Sequence, residues 1–468
     1  MVEEIIPLWT HQREAAMRAL KCGSYGFFFE QGTGKSLTTV YTLRNIYARN
    51  GVLIPTIIFA PPVVRRMWER EFYKASKIKD ITVLDGSGKQ RLAKFKEKSV
   101  KPHIFITNYE SLTMKELFAA FKSWRPEVLV FDESQRVKDI SAKRTKLAIE
   151  LSDIARHKFI LTGTPILNTP MDIWAQFRIL DGGDTFDKNF YAFRARYFFD
   201  KNASMPSHVK FPDWRPLPGI EDVFQEKIYT KAMRVLKSEC LDLPPIVRQR
   251  VEVELSPEQW KLYKSMKDKF IAFLNDKACV ANTALTKGLR LQQLVSGIFS
   301  EEDGSEIILK DSPRIKALRD LLEDVSSEHK CIVWVSFRKS YEQCLSVCND
   351  LNLNAVTLVG GMTDKARQDA IDNFQKDPSV RVMIANAAAG GVGVTLTAAS
   401  YMIYYSRDFS LENDLQSEAR CHRGGSEIHD SITRIDIVAP DTIDEVILEA
   451  LERKENLASK ILTIKDRL

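Results

Sequence analysis

The chain has 468 residues, 44% of them hydrophobic and 28% charged, which is enough apolar material for the cores of two or three globular domains. Its formal net charge of +6 permits a nucleic-acid partner, but a slightly basic enzyme explains that charge equally well. No apolar run approaches the roughly 20 residues of a membrane span, and the seven cysteines include no Cys-x-x-Cys pair, so we expect reduced structural thiols and neither a zinc site nor disulfides.

Short apolar runs alternate with amphipathic helical patterns in two parts of the chain. The first part predicts buried strands at 26–30, 56–60, 103–107, 128–131 and 158–162. The second part predicts them at 331–336, 355–359, 381–385, 401–406 and 432–438. Buried strands that alternate with helices are typical of parallel sheets covered on both faces. The sequence therefore predicts an α/β protein with two lobes.

The region between these two parts has a different character. An aromatic and basic stretch at 186–202 precedes a Pro-rich loop at 204–219, and Ser-Pro-Glu at 256–258 begins a helix. We expect Phe190, Phe193 and Phe198 to form the core of a helical protrusion, although base stacking is the alternative. The predicted divisions are 1–182 for the first lobe, 183–310 for helical protrusions and the interlobe link, 311–440 for the second lobe, and 441–468 for a C-terminal helix packing on the lobes.

A phosphate-binding loop follows the first predicted strand. The order strand, Gly32-Thr33-Gly34-Lys35-Ser36, helix is the context that such a loop requires. Glycines let backbone N–H groups approach phosphates, Lys35 brings a positive charge to the β- and γ-oxygens, and Ser36 can offer its hydroxyl to Mg²⁺. Phe29 replaces the usual first glycine, a departure typical of helicase-type motors. We predict ATP contacts from Gly32, Thr33, Gly34, Lys35 and Ser36.

Two adjacent carboxylates, Asp132 and Glu133, follow the strand at 128–131, and Ser134-Gln135 replace the Ala-His of many ATP-driven motors. Such a pair is costly to bury unless a positive partner is near. With Lys35 as that partner, we predict that Asp132 holds Mg²⁺ through its water shell. Glu133 would orient and deprotonate the attacking water. An acidic turn is the alternative, and Gln135 is expected to hydrogen-bond across to the second lobe.

Further motifs occur in a characteristic order. They are LWTHQREAAMRAL (8–20), IIFAPPVVRRMWEREF (57–72), IFITNYESL (104–112), LTGTPILNTPMDIWAQFRIL (161–180), LDLPPIVRQRVEVELSPEQWKLY (241–263) and AAAGGVGVTLTAASYMIYYSRDFSLENDLQSEARCHRGGS (387–426). With them, residues 8–440 resemble the Swi/Snf-type, chromatin-remodeller-like ATPases of helicase superfamily two, as a compact bacterial or phage-like member. The resemblance implies two RecA-like parallel-sheet lobes in tandem, with helical insertions between them.

The same resemblance implies roles for residues outside the phosphate loop. Gln12 would read the adenine edge, and Gln416, Arg420 and Arg423 would complete the site, with the arginines acting on the γ-phosphate as arginine fingers. The spacing of the two arginines predicts that they share one face of a helix. A salt-bridged surface helix is the alternative. Gly424-Gly425-Ser426 departs from the Ile-Gly-Gln that relatives usually have.

DNA lying across both lobes is the partner that the resemblance implies. A motor that follows the phosphate backbone needs cations and backbone amides more than base contacts. The expected contacts are Arg65, Arg66, Asn108, Gly391, Val392 and Thr395. The basic stretch at 89–101 could contribute, although a solvated helix face explains it as well.

The expected activity is that of an ATP- and Mg²⁺-dependent, helicase-like translocase on double-stranded or branched DNA. We expect a monomeric motor in the cytoplasm of a bacterial or phage-infected cell, or in the nucleus if the source is eukaryotic. One alternative is a strand-separating helicase on single-stranded DNA or RNA. The other is a nucleotide-dependent DNA-binding switch that hydrolyses ATP poorly.

Overall fold

The computed structural model describes residues 2–205, 212–275, 281–300, 306–309, 312–387 and 394–462. The chain divides into two compact units. Unit 1 comprises Met1–Leu241 and Lys454–Leu468, and unit 2 comprises Asp242–Arg453. Residues 183–241 thus belong to unit 1 and residues 242–310 to unit 2. The finer domain boundaries given above stay predictions.

Unit 1 is built on a parallel sheet. The strands found in its described residues are β1 (Tyr25–Phe29), β2 (Thr56–Phe59), β3 (Ile81–Val83), β4 (Ile104–Thr107), β5 (Val128–Asp132), β6 (His157–Leu161), β7 (Phe198–Asp200), β8 (Trp214–Pro216) and β9 (Ala232–Val235). The sheet has the order β3-β4-β2-β5-β6-β1-β9, and its neighbouring strands pair in parallel. β7 and β8 form a separate antiparallel pair.

Helices cover this sheet. They are α1 (Thr10–Cys22), α2 (Lys35–Asn50), α3 (Arg65–Ala75), α4 (Gly88–Lys98), α5 (Lys115–Trp124), α6 (Lys143–Ser152), α7 (Asp172–Asp181), α8 (Phe190–Tyr197) and α9 (Ile220–Tyr229), with 3-10 turns at Pro62–Val64, Tyr109–Thr113, Ser134–Val137 and Lys237–Glu239. β1, β2, β4 and β5 are buried along their whole length. Helices on both faces of a parallel sheet require such continuous apolar runs.

Unit 2 repeats the same design. The strands in its described residues are β10 (Ile246–Glu252), β11 (Ile298–Ser300), β12 (Glu306–Ile308), β13 (Cys331–Trp334), β14 (Asn354–Leu358), β15 (Val380–Ala385), β16 (Tyr401–Tyr404) and β17 (Ile432–Val438). The parallel sheet has the order β10-β17-β16-β13-β15-β14. β11 and β12 pair antiparallel. The remaining helices are α10 (Pro257–Asn275), α11 (Ala281–Val295), α12 (Pro313–Ser326), α13 (Arg338–Asp350), α14 (Asp364–Lys376), α15 (Leu411–Cys421) and α16 (Ile443–Leu462).

The predicted fold class, two α/β lobes built on parallel sheets, is confirmed, and every strand predicted above is present. The pattern missed β3, β9 and β10, which lie at sheet edges. Edge strands bury less surface, and β10 (sequence IVRQRVE) is exposed at most positions, so it shows no apolar run. The segment predicted as helical insertions and link therefore also contributes one edge strand to each sheet.

The aromatic stretch packs into the hydrophobic core of unit 1, and the helical protrusion stays a prediction. Phe193 and Phe198 are buried in the same core as Phe224, and Phe190 is partly buried against that core. In the part of the chain that the structure describes, no helix combines the length and the apolar character that crossing a membrane needs.

Candidate active site

The loop between β1 and α2 has the backbone of a phosphate-binding loop. Gly32 and Gly34 both have φ of 88°, in the left-handed region that favours glycine. A Cβ on Gly34 would lie 1.9 Å from Nε2 of Gln12. The backbone conformation therefore favours glycine at position 34, and a side chain there would also displace the end of Gln12.

The side chains of this loop point toward its own backbone. Lys35 Nζ donates to the carbonyl oxygens of Phe29, at 2.6 Å, and Glu30, at 3.2 Å. Thr33 Oγ1 donates to the Glu30 carbonyl at 2.8 Å. Ser36 lies in the first turn of α2 and is partly exposed. A cation and backbone N–H groups thus converge at a helix N-terminus, where anions bind favourably.

Two side chains from α1 contact the loop. Gln12 is buried, its Oε1 accepts from the Trp9 N–H at 2.9 Å, and its Nε2 donates to the Thr33 carbonyl at 3.3 Å. Nε2 of His11 lies 2.9 Å from the same carbonyl oxygen. Recognition of adenine by Gln12 stays a prediction. The pattern did not single out His11, although it is adjacent to Gln12.

The two acidic residues lie at the carboxyl end of β5. Asp132 is 7% exposed and Glu133 is 5% exposed. Oδ2 of Asp132 accepts from Trp68 Nε1 at 2.8 Å, and its carbonyl accepts from the Tyr109 hydroxyl at 2.6 Å. Burial and the charge of Glu133 raise the pKa of Asp132 to about 7, while the Trp68 hydrogen bond and the charge of Lys35 oppose that rise. Lys35 and Asp132 therefore interact electrostatically within one site.

These groups fit Mg²⁺. Magnesium prefers hard oxygen ligands, and it is usually held by one or two carboxylates together with substrate phosphates. Asp132 supplies a carboxylate and Ser36 a hydroxyl, and a divalent cation would compensate the buried acidic pair. Among the residues that the structure describes, no three or more His, Cys, Asp or Glu side chains are grouped to hold a metal without such help.

The turn after β5 has an unusual backbone. Glu133 has φ of 55° and ψ of 56°, a left-handed conformation that non-glycine residues adopt only when their surroundings hold it. Gln135 Nε2 donates to Glu133 Oε2 at 2.8 Å, and Ser134 Oγ donates to Gln176 Oε1 at 2.7 Å. A bond from Gln135 to the second lobe stays a prediction. The bond observed within unit 1 fixes the orientation of the Glu133 carboxylate.

The predicted residues of unit 2 lie on and after α15. Gln416 and Arg420 are buried on this helix. The helix ends at Cys421, however, and Arg423 lies beyond it. The prediction that Arg420 and Arg423 share one face of a helix is therefore wrong.

A turn after Cys421 explains the difference. Gly425 has φ of 103°, and the Ser426 N–H donates to the Arg423 carbonyl at 2.9 Å. The Arg423 side chain reaches back to donate from Nη1 to the Val394 carbonyl at 3.3 Å, and burial lowers the pKa of its guanidinium. The Gly-Gly-Ser sequence that departs from the family pattern thus lies in the turn that follows the helix.

An ion-pair cluster that the pattern did not predict fixes α15 to β17. Arg434 Nη2 lies 3.0 Å from Asp414 Oδ2, and its Nη1 lies 2.5 Å from Glu418 Oε2. Arg407 Nη1 lies 2.8 Å from Asp414 Oδ1. The guanidinium carbons of Arg407 and Arg434 lie 4.0 Å and 4.5 Å from the ring centroid of Tyr404. Because Asp414 and Glu418 are one turn apart on α15, the cluster fixes the rotation of that helix.

The predicted nucleic-acid contacts of unit 1 differ in exposure. Arg66 is exposed and pairs with Glu69 at 3.1 Å. Arg65 is partly buried, and its Nη1 donates to the Leu84 carbonyl at 2.9 Å. Asn108 is only 6% exposed, and its Oδ1 accepts from Arg91 Nη1 at 2.5 Å. Arg91, from the stretch interpreted as a solvated face, is thus buried beside Asn108.

The predicted contacts of unit 2 are described only in part. Thr395 is partly buried, and its carbonyl accepts from Gln375 Nε2 at 3.1 Å. Gly391 and Val392 lie outside the described residues.

Family comparison identifies the two parts of the chain. The SNF2-related domain matches residues 11–298, and the helicase conserved C-terminal domain matches residues 313–425. The chain belongs to the SNF2-related family. It therefore carries the ATPase domains of helicase superfamily two, and the resemblance found in the sequence is confirmed.

Relatives of this SNF2-related chain come from bacteria, phage and eukaryotes. An uncharacterized ATP-dependent helicase of Mycoplasma pneumoniae is 25% identical, over 98% of this chain and 42% of that protein. Putative protein p41 of Acyrthosiphon pisum secondary endosymbiont phage 1 is 25% identical, over 93% of this chain and 94% of that protein. The chain spans 42% of the length of each of two Mycoplasma relatives.

One solved structure that it resembles is the SWI2/SNF2 ATPase core of Sulfolobus solfataricus in complex with dsDNA. The two are 20% identical, over 99% of this chain and 98% of that chain, with a TM-score of 0.44. That score is too low to establish a shared fold by itself, so the fold assignment rests on the two parallel sheets.

Proposed function

We propose that this SNF2-related chain is a motor that couples ATP hydrolysis to movement along double-stranded or branched DNA. The observation that carries the proposal is the placement of the phosphate loop after β1 and of the buried Asp132–Glu133 pair at the end of β5 in the same parallel sheet, where the charge of Lys35 acts to lower the pKa of Asp132. Phosphoryl transfer requires mainly positioning and charge neutralisation, and these groups can supply both.

Each residue of this site has a proposed role. Lys35 exchanges its backbone carbonyl partners for the β- and γ-phosphates of ATP. Asp132 and Ser36 would hold Mg²⁺, which would supply positive charge against the phosphates. Glu133 accepts the proton of the attacking water, and the Gln135 bond orients its carboxylate.

In unit 2, we assign Gln416, Arg420 and Arg423 to the hydrolysis step. A guanidinium that is placed against the transferring phosphoryl group stabilises the charge of its transition state. The ion-pair cluster that fixes α15 supports the assignment of Gln416 and Arg420, because a helix with a fixed rotation presents its side chains in one direction. Arg423 lies beyond the helix, and its assignment rests on the sequence motif alone.

DNA is the partner that we propose, contacted through its phosphate backbone. Arg66 offers an exposed guanidinium, and Arg65 adds charge beside it. Because a guanidinium only donates, the Asn108 atom facing Arg91 is the oxygen, and its Nδ2 remains to donate to a phosphate. Thr395, Gly391 and Val392 would contribute from unit 2. One relative is named chromodomain-helicase-DNA-binding protein 7 of Homo sapiens, 26% identical over 92% of this chain and 15% of that protein.

A triplex-displacement assay run beside a forked-duplex unwinding assay separates this proposal from its rivals. We expect ATP-dependent displacement of the third strand with little separation of the fork, because a translocase moves along an intact duplex. Robust unwinding without duplex-stimulated ATPase would identify a strand-separating helicase instead. Nucleotide binding without turnover, with or without DNA, would identify a switch.

A further inference from the structure

Ser134 replaces the alanine of the usual motif, and its hydroxyl makes a buried bond of its own. Ser134 and Gln176 are each 0% exposed, and Ser134 Oγ donates to Gln176 Oε1 at 2.7 Å. Gln176 lies on α7, 42 residues after Ser134 in the sequence. The bond therefore connects the residue that follows Glu133 to a different element of unit 1.

The orientation of the Gln176 amide is determined by its other partners. Nε2 donates to the carbonyl of Pro165 at 2.7 Å and to that of Asp172 at 2.9 Å. Since carbonyl oxygens only accept, the atom facing them is the nitrogen, and the atom facing Ser134 is the oxygen. The Ser134 hydroxyl is therefore the donor that satisfies Oε1.

The segment that contains Pro165, residues 163–172, connects this bond to the phosphate loop. At Gly163, a Cβ would lie 3.2 Å from the Phe29 carbonyl oxygen, at the end of β1. Asp172 Oδ2 accepts from the N–H groups of Leu167, at 3.0 Å, and Asn168, at 2.8 Å, which fixes the other end of the segment. Residues 163–172 thus pack beside the end of β1, which precedes the phosphate loop, and the Pro165 carbonyl holds the amide that binds Ser134.

We infer that Ser134 and Gln176 are positioning residues. They hold Glu133 in its left-handed conformation, in which its carboxylate can accept the proton of the attacking water. This inference rests on the proposed function. The left-handed backbone of Glu133 needs support from its surroundings, and the bond from the next residue to α7 supplies that support. The simpler explanation is that the two side chains only satisfy each other inside the core.

Replacing Ser134 by alanine (Ser134→Ala) distinguishes these explanations. We expect kcat of the ATPase to fall about tenfold or more, because small displacements of a catalytic group are costly. KM for ATP should stay within about twofold, because the loop around Lys35 is unchanged. The measurements are steady-state ATPase kinetics and the binding of Mg²⁺ with a non-hydrolysable ATP analogue.

Two further variants separate positioning from stability. Tyr47→Phe removes another buried hydroxyl bond of unit 1, the 2.8 Å contact with Thr56 Oγ1, and should leave kcat unchanged. The double variant Ser134→Ala with Gln176→Met removes both polar groups of the pair. It should melt closer to the wild-type temperature than Ser134→Ala does, yet keep the low kcat.

Failure of the positioning role and failure of the proposed function would give different results. Wild-type kcat in both Ser134 variants, with an active wild-type enzyme and an inactive Glu133→Gln variant, overturns the positioning role alone. A kcat that recovers in the double variant together with the melting temperature also overturns it. A wild-type chain without any ATPase activity would instead contradict the proposed function.

Discussion

Replacing Glu133 by glutamine (E133Q) should lower the rate of ATP hydrolysis by about a thousandfold, while ATP affinity changes by no more than about twofold. Glutamine keeps the shape of the side chain but cannot accept a proton from water. The phosphate contacts proposed for Lys35 do not depend on that carboxylate. Single-turnover hydrolysis and equilibrium binding of Mg²⁺-ATP measure the two effects separately.

Glu150→Gln is the matched control for this experiment. Glu150 is an exposed glutamate of unit 1 that pairs with Lys122 on the surface, so its loss should leave both measurements unchanged. If E133Q keeps a tenth or more of the wild-type rate, Glu133 is not the base.

Replacing Arg420 or Arg423 by alanine should also reduce hydrolysis by about a thousandfold and spare nucleotide binding. The proposed role of these guanidinium groups is to stabilise the transition state of phosphoryl transfer, so the ground-state complex loses little. Hydrolysis, analogue binding and thermal melting should be measured on each variant, because Arg420 is buried and its loss also affects stability.

Arg319→Ala provides the control for the loss of an arginine. Arg319 lies on α12 of the same unit and pairs with Asp350 at the surface, at 2.6 Å. Its removal should cost little activity or stability. Normal turnover in both the Arg420→Ala and the Arg423→Ala variants would refute their assignment to hydrolysis.

Much of the candidate site was predictable because its signals are local in sequence. A buried strand followed by Gly-Thr-Gly-Lys-Ser leaves few interpretations other than a phosphate-binding loop. A strand ending in Asp132-Glu133 places carboxylates at the same sheet edge. The supporting residues carry no such signal. Trp68 is 64 residues from Asp132, and Gln176 is 42 residues from Ser134, so only the folded sheet brings these partners together.

The errors have physical causes as well. β10 lies at a sheet edge and is exposed at most positions, so its sequence lacks the apolar run that revealed the central strands. The spacing of Arg420 and Arg423 predicts a shared helix face, but α15 ends at Cys421 and the backbone is already non-helical at His422. The buried Arg434 was visible only as a charged residue inside a predicted strand, and its partners could not be inferred from the pattern.

The rate of ATP hydrolysis measured with duplex, branched, single-stranded DNA and RNA ligands tests the central claim most directly. We expect duplex or branched DNA to stimulate the wild-type chain most strongly, and Lys35→Ala to abolish turnover with every ligand. Equal rates with and without every nucleic acid, or turnover that survives Lys35→Ala, would contradict a DNA-driven ATPase built on this loop and the Asp132–Glu133 pair.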